Sequence, residues 1–144
     1  MPSQILFFLL FAFFGLSSAT IYWKMPQGDE MSNPMMITQH QVNKIYAAYW
    51  DHDINTLFSL LRFGTPMSRF IEDHAEDEIH VRVKSAEYYS SNNQQGIKAI
   101  LTIEDVSATG TTPYLVKMAM AQDYKSPTGY IVFLWEICSN LECE

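Results

Sequence analysis

The sequence predicts an α+β domain in which N-terminal helices pack on a curved, four-stranded antiparallel sheet. Apolar residues recur at helical spacing between Val42 and Ile71, the spacing changes to two at Ile79, and three further strand-like segments follow, separated by stretches rich in Ser, Asn, Gly, Pro and Thr. Helices followed by strands is the order found when helices segregate to one face of an antiparallel sheet.

Ahead of the domain, Ile5 to Leu16 form an unbroken apolar run that ends at Ser17, Ser18 and Ala19. Its twelve residues are too few for a hydrocarbon core, which takes about 20 as a helix. Small residues at 17 and 19 fit a signal-peptidase site. Residues 1–19 are therefore expected to be a secretory signal peptide, and 20–33, which lack a clear period and contain Pro26 and Gly28, a leader segment. Residues 34–144 are expected to form a single α+β domain, secreted to the extracellular space without a membrane anchor in its mature form.

The first helix is expected to start at Thr38. Thr38 and Gln41 match a capping box, and Ile37 with Val42 the flanking staple. Val42, Ile45, Tyr46 and Tyr49 then form one apolar stripe. Asp53 is placed to cap a second helix carrying Ile54, Leu57, Phe58 and Leu61, with Gly64 as its left-handed terminator. Thr65 and Pro66 read as the cap and first residue of a short third helix through Met67, Phe70, Ile71 and His74.

Beyond the acidic stretch Glu72 to Glu78, residues Ile79, Val81 and Val83 alternate with His80, Arg82 and Lys84, which predicts a strand with one buried face. Three more strands are expected over 97–106, 114–122 and 130–138. In the last, strict alternation would put Ile131, Phe133, Trp135 and Ile137 on one face and Tyr130, Val132 and Leu134 on the other. A strand that is apolar on both faces implies a central position or a covered outer face.

Sixteen Asp and Glu against nine Lys and Arg give a net charge of −7. Nucleic acid is a poor partner for such a chain, since phosphate binding draws on clustered cations. Cys138 and Cys143 are expected to form a disulfide in an oxidising compartment. The loop is short and would contribute about 2 kcal/mol, so the bond pins the C-terminal tail while the core holds the domain together. Two thiolates without further ligands do not complete a zinc site, and neither a metal nor another cofactor is expected.

The stretch from Tyr46 through Trp50, Asp51, His52 and Asp53 to Leu57, Leu60 and Leu61 resembles the opening of NTF2-like domains: an aromatic-bearing helix, a turn with Asp, then a helix with spaced leucines. The closing strands are similar too. The resemblance implies a cone between helices and sheet that holds a small ligand or active site, and an outer sheet face that forms a homodimer. NTF2-like domains also carry a small strand pair between the second and third helices, for which residues 62–65 leave no room. A second layout is the cystatin-like roll, because Gln94-Gln95-Gly96-Ile97 is similar to an inhibitory hairpin. The matching pattern would need Gln and Val at positions that hold Asn92 and Gln94.

The densest polar cluster runs through Glu72, Asp73, His74, Glu76, Asp77, Glu78 and His80, carboxylates and imidazoles suited to acid/base chemistry. Its spacing matches no helical metal site, and a solvated, charged connection is the favoured reading. Asp73, His74 and His80 are the candidate catalytic residues. Tyr46, Tyr49, Trp50, Tyr114 and Trp135 are the candidate lining of a ligand pocket, being aromatic walls that can carry polar tips. The leading expectation is a non-enzymatic NTF2-like domain that binds a small apolar ligand or a protein partner. The alternatives are a small-substrate isomerase or hydratase of the same fold, and a cystatin-like protease inhibitor.

Overall fold

Asn33 starts the first helix, its side-chain oxygen accepting from the Met35 amide at 2.9 Å, with Pro34 at the first helical position. Helix α1 (Pro34–Trp50) thus begins four residues before the expected capping box. Thr38 lies inside it, donating to Pro34 O at 2.7 Å, and Gln41 is fully buried. In the computed structural model the described residues are 33–143 apart from Phe63, Ala108 and Leu141. The expected signal peptide and all of the expected leader but Asn33 lie outside the described residues.

Helix α2 (Ile54–Leu60) is capped by Asp53, whose Oδ1 accepts from the Thr56 amide at 3.1 Å. It ends earlier than Gly64: Leu61 is already extended and forms a parallel bridge with Val132. Gly64, at φ +76°, serves the following turn. Helix α3 (Pro66–Asp73) starts where expected, although Thr65 makes no side-chain capping bond, and buries Met67, Phe70 and Ile71.

The strands are β1 (Ile79–Ser91), β2 (Gln94–Asp105), β3 (Tyr114–Gln122) and β4 (Tyr130–Ile137), an antiparallel meander in the order β1-β2-β3-β4. The sheet curls without closing. The first strand runs well past Lys84 because backbone pairing with β2, not burial, carries its polar second half to a two-residue turn at Asn92 and Asn93. Both have positive φ, as such turns require. Helix α1 packs on β1 and β2, while α2 and α3 pack on β4.

The register defines an inner face. Ile97, Ala99, Leu101 and Ile103 of β2 pair with Met120, Met118, Val116 and Tyr114 of β3; seven of them belong to the buried core and the half-buried Tyr114 packs against it. Two bulges reset the alternation. One lies at Lys84, between the pairs Val83↔Leu101 and Ser85↔Ile100. The other, at Phe133, breaks strict alternation in β4: Val132 and Trp135 pair with Met120 and Met118 and are both buried on the inner side, whereas Ile131 and Leu134 lie outside.

Both sheet edges are tied. The Gln39 amide stands in for a missing strand beside β1, donating to Val81 O at 3.2 Å and accepting from the Val83 amide at 3.2 Å. On the far side Arg62 N donates to Val132 O at 2.8 Å. These contacts occupy part of the free backbone that edge strands expose.

Candidate functional site

The end of α3 and the exit of β2 bring polar residues together. His74 is the C-cap residue of α3, and its ring lies against Phe70, with centroids 4.6 Å apart. The turn after it, closed by Asp77 N donating to His74 O at 3.1 Å, returns Asp77 Oδ2 to within 2.8 Å of His74 Nδ1. Asp105 ends β2 opposite Ile79 of β1. It extends by one step the inner-face series of β2, which runs Ile97, Ala99, Leu101 and Ile103.

Asp105 is held in place by its own loop. Ser107 donates to Asp105 Oδ1 through its amide at 3.0 Å and its hydroxyl at 2.6 Å, and Thr111 Oγ1 donates to the Asp105 carbonyl at 2.8 Å. Val106 N donates to Glu78 O at 2.9 Å and ties this loop to the turn carrying Asp77. One ligand atom from each of His74, Asp77 and Asp105 lies within 4.8 Å of the other two, and all three residues are half-buried.

Tyrosines extend the cluster inward. Tyr114, opposite Ile103, has its hydroxyl pKa raised by burial and then by the negative charge of Asp105. Tyr46 on α1 is raised further, first by burial and then by Tyr114. Its hydroxyl is buried without a hydrogen-bond partner among the described residues, as is Trp135 Nε1. Trp135 packs against Phe70 in a tilted arrangement, 5.2 Å between centroids, so an aromatic row runs from His74 to β4.

The predicted site residues therefore separate. His74 belongs to the cluster, Tyr114 feels the charge of Asp105, Tyr46 is linked to it only through Tyr114, and Trp135 reaches it through Phe70. Tyr49 and Trp50 pair with each other at 6.2 Å, and Trp50 is exposed. Asp73 faces solvent, and His80 lies on the outer register beside Glu78, 3.5 Å from its carboxylate. Asp105 carries no local signal of its own; the period-two pattern of β2, extended by one step, places it on the inner face.

A second feature lies on the outer face of the sheet. A trough of about 450 Å³ has Ile100, Ala119 and Leu134 among its lining residues, with charged Lys98, Lys117 and Glu136 beside them. Glu87 pairs with Lys98 across β1 and β2, and Lys117 with Glu136 across β3 and β4. At the hairpin, Gly96 has a packing role: a Cβ there would meet Met120 O at 2.3 Å and the Tyr89 ring at 2.7 Å.

The fold and these two features define an α+β domain with a core between helices and sheet, a polar cluster at one end and an open outer sheet face. Compared with protein-family models, curated proteins and solved structures, the chain matches none.

Proposed function

We propose that this chain is a secreted, non-enzymatic binding domain of NTF2-like layout whose outer sheet face docks a second copy of the same chain. The observation that carries this is the charge of the trough. The whole chain bears −7, which opposes self-association over most of its surface, yet Lys98 and Lys117 balance Glu87 and Glu136 around an apolar floor. Support for secretion comes from the Ile5 to Leu16 run and from the Cys138–Cys143 disulfide, with Cα atoms 5.0 Å apart. Among the described residues no helix is long and apolar enough to cross a membrane.

The size of the face sets the expected strength. Four strands about 4.8 Å apart, some eight residues long at about 3.3 Å each, project roughly 500 Å². Standard interfaces bury about 800 Å² per partner, so a reversible dimer of micromolar affinity is expected. Sedimentation equilibrium tests it: the chain should dimerise in the micromolar range, and Leu134→Arg should be monomeric with an unchanged circular dichroism spectrum. A wild-type chain that stays monomeric at high micromolar concentration, or a Leu134→Arg chain that still dimerises, overturns the proposal.

A further inference from the structure

We propose that His74, Asp77 and Asp105 form a binding site for a divalent transition cation of the zinc class. The three residues come from different segments: the end of α3, the turn after it and the end of β2. In a tetrahedral site, metal–ligand bonds of about 2.0–2.2 Å set neighbouring ligand atoms of one ion roughly 3.3–3.6 Å apart. His74 Nδ1 and Asp77 Oδ2, hydrogen-bonded at 2.8 Å, need to part by only about half an ångström to reach that spacing. The third ligand atom, from Asp105, lies within 4.8 Å of both.

The donor set selects the ion class. A neutral imidazole with two carboxylates carries two negative charges, which a divalent cation neutralises, and the imidazole favours zinc-like ions over calcium and magnesium. Three protein ligands leave room for water on the solvent side. Phe70 against the ring of His74, and Ser107 on Asp105 Oδ1, hold two of the three ligands in orientation before any ion arrives. A bound ion would join the turn after α3 to the exit of β2, and any proton on Nδ1 leaves as it binds. This site is built on the inner-face register, away from the outer sheet face, so it stands apart from the proposed dimer.

Calorimetric titration of the chelator-treated, disulfide-intact chain with Zn²⁺ is the test, with thermal unfolding in parallel. One Zn²⁺ per chain and a raised unfolding midpoint are expected. His74→Ala and Asp105→Asn should each weaken binding by at least about ten-fold, while Asp73→Asn should bind as the parent does. Asp77→Asn preserves side-chain volume and should weaken binding too, which covers the case in which His74→Ala fails to fold. No measurable Zn²⁺ binding, binding that survives both Asp77→Asn and Asp105→Asn, or Ca²⁺ binding as tightly as Zn²⁺ overturns the proposal.

Discussion

Gln41 is fully buried, and its Nε2 donates to Leu60 O at 2.9 Å and to Tyr130 O at 3.1 Å while its Oε1 accepts from the Thr128 hydroxyl. It therefore satisfies the last turn of α2 and the entry to β4 from the middle of α1. Replacing it with Leu would leave two carbonyls and a hydroxyl without this partner, each orphaned group costing about 1–3 kcal/mol. Gln41→Leu is expected to destabilise the domain by at least about 2 kcal/mol in urea unfolding; a loss below half of that would mean the freed groups find other partners. In the sequence the same residue reads as part of a helix cap, because a Thr-x-x-Gln pattern has that local meaning and its long-range partners are invisible.

At the scale of elements, the helices are legible from their apolar spacing and the strands from their alternation, since both reflect burial of one side. The limits of α1 and β1 are not. Asn33 and Pro34 lie in a stretch without apolar period, and the second half of β1 is paired without being buried. The faces of β4 also depart from strict alternation, because a bulge at Phe133 changes which side chains point inward and no residue type announces it. The β1–β2 hairpin makes its own prediction through Gly96, which is buried against Met120 and Tyr89. Gly96→Ala should cost about 1–3 kcal/mol, read as a lower unfolding midpoint. An unchanged midpoint would mean that the Tyr89 ring and the β3 backbone yield without strain.

For the whole molecule, stability rests on the core between helices and sheet. Ile45, Leu60, Met67, Leu101, Met118 and Met120 are almost fully buried there. The disulfide closes a small C-terminal ring, in which Asn140 Oδ1 accepts from the Cys143 amide at 2.8 Å and Cys138 N donates to Leu115 O at 2.9 Å. Reduction should therefore lower stability by about 2 kcal/mol and leave the sheet intact. Far-ultraviolet circular dichroism under reducing conditions checks this, and loss of the β signal would show that the ring holds more than the tail.

The sequence by itself determined the α+β class, the order of elements, the cap at Asp53, the helix start at Pro66 and the cysteine pair, because each follows from residue types and spacing between near neighbours. Tertiary structure alone decided that His74 and Asp77 meet Asp105, that Gln41 and Gln39 serve distant backbone, and that Lys98, Lys117, Glu87 and Glu136 surround one apolar trough. The physical reason is common to all of these. Each depends on how helices dock on the sheet or on strand register, which bring together residues far apart in the chain whose local surroundings carry no sign of the meeting.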